Sequence, residues 1–177
     1  MRVYLAGPEV FLPDPAAFGA AKKAICARHG LTGVFPLDPP TPMPSGPPDW
    51  RRIHAANEMH ITGCDMLVAN LTPFRGASAD SGTVFEVGLM RGLGRPVFGY
   101  THMPGEYRAR IADARHDGKL WADAEGLEIE DFGLSENLMI EGAILASGGV
   151  FLRAEAPLDW TDLALFEACV AEIAKRA

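Results

Sequence analysis

Cysteine is scarce in this chain and poorly placed to hold anything together: Cys26, Cys64 and Cys169 are odd in number, scattered, and form no Cys-x-x-Cys pair. That argues against a disulfide framework and a zinc site, and leaves three core thiols. The histidines lack ligand spacing as well, since His54 and His60 stand six apart in a helical stretch and face different sides. No metal is expected. No apolar run approaches the roughly 20 residues of a membrane helix. The N-terminus lacks the apolar core and cleavage site of a signal peptide, so the expected compartment is the cytoplasm. Basic clusters are missing too: 16 Lys and Arg stand against 23 Asp and Glu, a net charge of -7. A DNA or RNA polymer would be repelled on average and find no basic stripe. Finally, no Gly-x-Gly-x-x-Gly follows a strand (Gly92 and Gly94 precede one) and no Walker Gly-Lys-Ser/Thr occurs. A glycine loop cradling a dinucleotide or nucleoside triphosphate is unsupported.

What is present reads as one globular domain over residues 1–177, because 48% hydrophobic and 22% charged residues supply a core and a solvated surface. Apolar runs alternate with helical patterns. Strands are expected near 2–7, 32–37, 65–70, 95–100 and 148–152, and helices near 14–29, 49–63, 81–93, 135–146 and 159–175. The runs at 65–70 and 95–100 are continuously apolar, as in strands buried on both faces. The pattern predicts an α/β fold: a flavodoxin-like, Rossmann-type, doubly wound parallel sheet of about five strands. Two long connections interrupt it. Residues 36–48 contain seven prolines and read either as a stiff wall or lid over the strand ends or as a spacer. Residues 101–134 include an amphipathic piece, Tyr107 to Arg115, that reads as a surface helix.

The stretch Asn70 to Gly88 joins a strand end, a Gly/Ser/Pro loop and an apolar helix carrying one carboxylate, which is how open α/β sheets build sites. Around Glu86 the helix reads Val84, Phe85, Val87, Leu89, Met90 and Leu93, with Gly88 and Gly92 one turn apart, and so predicts a helix buried on nearly every side. A carboxylate there must pair, for instance with Arg91 or Arg95, or take a raised pKa and do chemistry. Asp80 is either a second acid or, like Ser81, the N-cap. Gly7 and Pro8 end the first strand, which brings Tyr4, Glu9 and Phe11 near the third-strand loop. Tyr4 can also be read as core and Phe11 as a loop anchor.

The runs Tyr4-Leu-Ala-Gly7-Pro8-Glu9-Val-Phe11, Cys64-Asp65-Met-Leu-Val-Ala-Asn70-Leu-Thr-Pro-Phe-Arg75-Gly76, Asp80-Ser-Gly82-Thr-Val-Phe-Glu86 and Glu136-Asn137-Leu-Met139 together resemble the nucleoside 2-deoxyribosyltransferase family from about residue 2 to residue 151. The resemblance implies exchange of the base of 2'-deoxynucleosides through a covalent deoxyribosyl ester on Glu86, with Asp80 exchanging the base's proton and Tyr4 positioning the nucleophile. It implies substrate contacts at Gly7, Phe11, Asn57, Phe74, Gly82, Asn137 and Met139. Asn137 would reach into a neighbouring subunit's pocket to hold the sugar 5'-hydroxyl, which makes the protein a homo-oligomer; its local alternative is a helix cap. Asn57 stands where the family has Asp or Asn. The expected partners are 2'-deoxynucleosides and free nucleobases, with no metal or cofactor. The rival readings are an N-glycosidase acting on deoxynucleosides or their 5'-monophosphates, an NAD-cleaving or nucleotide-binding module, and a non-catalytic binding protein.

Overall fold

The computed structural model describes residues 1–40, 45 and 49–176. Five parallel strands form the central sheet: β1 (Arg2–Ala6), β2 (Thr32–Val34), β3 (Met66–Asn70), β4 (Val97–Thr101) and the last strand, β8 (Phe151–Arg153). Their order is β2-β1-β3-β4-β8, the 2-1-3-4-5 order of flavodoxin-like sheets. The five helices are α1 (Pro15–Arg28), α2 (Trp50–Thr62), α3 (Ser81–Gly92), α4 (Leu138–Ala146) and α5 (Ala164–Ala174).

Strand alternation sorts the core into two layers. Val3, Leu5, Met66, Val68, Phe98 and Tyr100 meet α1 and α5 residues such as Ile25, Cys26, Phe166 and Val170. Tyr4, Ala6, Leu67, Ala69 and Val97 face the other way, onto Ile61, Val87, Met90, Ile140 and Ile144 of α2, α3 and α4. The sheet is therefore covered on both faces, which is why its strands read as continuous apolar runs. All three cysteines are buried and free. Among the described residues no helix is long and apolar enough to cross a membrane.

Three expectations need correction. Helix α3 is not buried all round: Thr83, Val87 and Met90 are buried, whereas Phe85 is 54% exposed and Gly88 and Gly92 meet no neighbour. Its apolar surface exceeds what the sheet of one chain covers. The piece from Tyr107 to Arg115 forms only a 3-10 turn over Tyr107–Arg110, because its arginines turn to tertiary partners. Arg110 donates to the carbonyls of Ala77 and Ser135, and Arg108 pairs with Asp131. Beyond it stands a small antiparallel sheet: β5 (Arg115–His116), β6 (Trp121–Ala122) and β7 (Glu128–Ile129). Its turns are set by Asp117 and Asp123, whose carboxylates accept from Lys119, Leu120, Glu125 and Leu127 backbone N–H groups.

Helices α4 and α5 begin later than their patterns suggest. Glu136 is drawn to Ser78 and the Ala79 N–H, and Asp159 accepts from Thr161 N–H and hydroxyl. In both places side-chain bonds hold the chain out of the helix. Most of the proline-rich loop, and with it the lid reading, lies outside the described residues; Pro36 and Leu37 lie inside.

Candidate active site

The site sits at the carboxyl ends of β1 and β3 and the start of α3. Glu86 lies one and a half turns into α3, on the side facing the sheet. There the Tyr4 hydroxyl, projecting from β1, donates to its Oε1 at 2.6 Å. Tyr4 is fully buried, and burial with the adjacent Glu86 charge pushes its phenol far above the usual range, so it serves as a fixed donor. Burial pushes the Glu86 carboxyl up to about 7; the Tyr4 hydrogen bond opposes this, and the Asp80 and Glu9 charges add to it. The ion-pair alternative does not hold, since Arg95 donates to the Ile61, Thr62 and Cys64 carbonyls and Arg91 is exposed.

Glu86 opens into a cavity of about 320 Å³ that Gly7, Phe11, Asn57, Asp80 and Gly82 also line, with Val10, Pro36, Leu37, Ile53 and Thr83 completing it. Asp80 is the N-cap of α3, its Oδ2 accepting from Thr83 N–H at 3.0 Å, and it lines the cavity as well. The Asn57 side-chain oxygen is buried and has no partner among the described residues. A buried acceptor left open beside two carboxylic acids suits a ligand that brings N–H groups. A side chain at Gly7 would be strained: its φ is 155°, and a Cβ there would come within 1.9 Å of Glu9 Oε2.

Three of the expected substrate contacts fall outside this cavity. Phe74 stacks on Phe11, ring centroids 5.4 Å apart, but lines a neighbouring cavity. Asn137 is the N-cap of α4, accepting from Met139 N–H at 2.9 Å and donating to Glu130 at 2.6 Å. Met139 is 71% exposed.

Sequence reasoning placed Glu9 near the third-strand loop but missed its partners. Glu9 is fully buried and ion-paired with the equally buried Lys22 of α1. Its Oε1 also accepts from Asn70 Nδ2 at 3.0 Å and Tyr100 hydroxyl at 3.1 Å. Burial pushes this carboxyl up, but the Lys22 charge and hydrogen bond, with that of Asn70, outweigh it and hold it below the usual carboxylate value. The Lys22 ammonium lies over the Phe166, Phe18 and Tyr100 rings.

Residues 3–139 match the model of the nucleoside 2-deoxyribosyltransferase family. The chain belongs to that family. A curated relative, an uncharacterized protein of Schizosaccharomyces pombe, is 31% identical over 167 residues, covering 83% of this chain and 78% of its own. Among solved structures, a 2-desoxiribosyltransferase from Leishmania mexicana superposes with a TM-score of 0.69 at 25% identity, covering 98% of this chain and 97% of its own. A conserved protein from Enterococcus faecalis V583 (TM-score 0.60, 20% identity, 100% and 99% coverage) shares the fold.

A reaction in which Glu86 attacks as a carboxylate needs it ionised, and its kcat/KM is expected to rise with pH through a limb near about 7. In Tyr4→Phe the hydrogen bond favouring the charged form is gone, and the limb moves to higher pH. Stability runs the other way. A carboxyl whose folded pKa is raised stabilises at low pH and loses that contribution as pH rises from about 4.5 through about 7. Thermal unfolding at pH 5 and pH 8 checks this: the wild type should lose more stability between them than Glu86→Gln.

Proposed function

We propose that the protein is a nucleoside 2-deoxyribosyltransferase that exchanges the bases of 2'-deoxynucleosides through an ester on Glu86. The observation that carries the reading is the single cavity in which Glu86, held by Tyr4, meets Asp80 and the unpartnered Asn57 oxygen. In the first half-reaction the Glu86 carboxylate bonds to C1' of the sugar. The glycosidic C–N bond breaks, its electron pair leaves with the base, and Asp80 supplies the proton that neutralises the base. In the second, a nitrogen of the acceptor base attacks C1', the ester bond breaks, Glu86 is released as carboxylate, and the acceptor's proton passes to Asp80. No group outside the chain and its two substrates is needed to balance these steps.

Incubation with deoxyinosine and adenine, followed by chromatography, tests the reading. Deoxyadenosine and hypoxanthine are the expected products. Free deoxyribose alone supports an N-glycosidase instead, and no turnover leaves a binding role.

Asp80→Asn isolates the proton transfer, because asparagine caps a helix about as well as aspartate and the start of α3 is preserved. Transfer from ordinary bases should fall about 100- to 10,000-fold. Activated leaving groups, which depart without protonation, should be slowed least. Equal slowing of both classes assigns Asp80 to capping or binding alone.

What one chain leaves uncovered supports the expected assembly. Trp50 and Ile53 of α2, Phe85 of α3 and Met139 and Leu145 of α4 are 67%, 63%, 54%, 71% and 53% exposed, and α3 packs between α2 and α4. A homo-oligomer burying this face, with Asn137 and Met139 completing a neighbour's sugar site, is part of the proposal. Glu86→Ala and Asn137→Ala chains are each expected to be impaired, yet to recover roughly a quarter of wild-type activity when mixed with free subunit exchange. Half of the dimers are then mixed, each with one intact pocket. If differently tagged chains exchange and activity stays at the mutants' level, Asn137 acts only in its own subunit.

A further inference from the structure

Phe11 lines two cavities. Besides the one at Glu86 it borders a second, of about 400 Å³, with Phe74, Arg75 and Trp160, completed by two prolines and a leucine. The three rings come from distant parts of the chain: the turn after β1, the loop before α3, and the segment between β8 and α5. Phe11 and Phe74 lie nearly parallel, at 12°, and Trp160 meets Phe74 edge-on at 6.1 Å. The Arg75 guanidinium stands over this wall, 4.6 Å from the Phe74 centroid and 5.1 Å from that of Phe11. Arg75 holds a φ of 56°, a left-handed conformation that few non-glycine residues adopt. It takes part in none of the ion pairs among the described residues.

The chemistry of the second cavity is the reverse of the first. The cavity at Glu86 is lined by two carboxylic acids and an open amide oxygen, groups that receive N–H donors. The second presents aromatic faces, the Phe11–Phe74 stack with Trp160 standing edge-on to Phe74, and its polar side chains, the Arg75 guanidinium and the Trp160 indole, only donate. Its ligand must therefore be planar and rich in acceptors. Arg75 presents donors in a fork that matches two neighbouring acceptors, as O6 and N7 stand on a 6-oxopurine, and base–aromatic stacking adds affinity whatever the base.

We propose that this second cavity is a subsite for a free 6-oxopurine base, stacked on one of its aromatic faces with its O6/N7 edge toward Arg75. The role of the subsite rests on the base-exchange reading: a departing or arriving base is held beside the catalytic cavity, with Phe11 shared between the two. Binding itself does not rest on it, since a free base without a deoxynucleoside cannot turn over.

The experiment titrates hypoxanthine into the 177-residue chain carrying Trp50→Phe and Trp121→Phe, which leaves Trp160 as its single tryptophan. Saturable quenching of its fluorescence is expected. Affinity should fall roughly ten-fold or more with Arg75→Ala and be as much weaker for adenine, which offers an amino donor where hypoxanthine has O6. Asp80→Asn should leave the quenching in place. Calorimetry on the chain with all its tryptophans gives the same answer without the double substitution: two hypoxanthines per chain, falling to one in Arg75→Ala. Absence of quenching with a single site per chain overturns the proposal. So does equal affinity for adenine, or quenching lost in Asp80→Asn, which would place the base in the catalytic cavity. Base exchange without quenching removes the subsite alone; quenching without base exchange removes the exchange reading and leaves the subsite standing.

Discussion

Glu86→Ala is expected to reduce base exchange by several orders of magnitude while the protein stays folded, because in the proposed mechanism it deletes the atom that carries the sugar between the two half-reactions. The site supports so large an effect. Among the described residues the other carboxylate lining the cavity is Asp80, whose Oδ2 is committed to the first turn of α3. Folding should survive, since the change removes a desolvated acid rather than a packed apolar group. Initial rates with deoxyinosine and adenine, alongside far-ultraviolet circular dichroism of the same preparation, measure both halves of the expectation. Residual exchange within ten-fold of wild type would assign the nucleophile elsewhere.

Lys22→Met is expected to have the largest effect on stability. Lys22 and Glu9 are both removed from water, and stripping one partner from a buried ion pair strands the other, at a cost of about 3 to 5 kcal/mol. For a chain of this size that lowers Tm by roughly 6 to 20 °C. The sign of the pH dependence is determined as well. With its ammonium gone, the Glu9 carboxyl is held above its unfolded value, so the variant is relatively more stable at low pH and weakens as pH rises. Wild-type Glu9 is held low and contributes above the unfolded carboxylate value, losing that contribution as pH falls. The gap between the two proteins should therefore narrow from pH 8 to pH 5. Joining Glu9→Leu to Lys22→Met should recover part of the loss at pH 8, because no stranded charge remains.

The sheet was legible because its strands are buried on both faces and leave continuous apolar runs in the chain, as at Met66–Asn70 and Val97–Thr101. Glu86 was legible for a local reason: a single acid stands among apolar neighbours in one helix. Its hydrogen bond to Tyr4 joins residues 82 apart, and only the resemblance to a known family pointed to it. The Glu9 cluster was less accessible. Its members, Lys22, Asn70 and Tyr100, lie 13, 61 and 91 residues away, and no periodicity within one element announces a charge pair that forms between elements. Trp160 was overlooked because the turn that carries it, shaped by the Asp159 bonds to Thr161, reads as the start of a helix. The small sheet of β5 to β7 had a signal that went unread, the Asp117-Gly118 pair and the Gly126 turn, both glycines at positive φ. The expectation for α3 failed for a physical reason: apolar composition does not require that a helix be covered on every side by its own chain. Phe85 is exposed on this helix and belongs to the face that the proposed assembly would bury.

The central claim is that the sugar passes through Glu86 itself, and one measurement addresses it directly. The protein is incubated with a 2-fluoro deoxynucleoside, whose fluorine slows breakdown of the glycosyl ester, then digested with protease and analysed by mass spectrometry. A fluorodeoxyribosyl adduct on the peptide containing Glu86, absent from Glu86→Ala, is the predicted result. An adduct mapped to another side chain, or base release with no adduct at any time point, contradicts it.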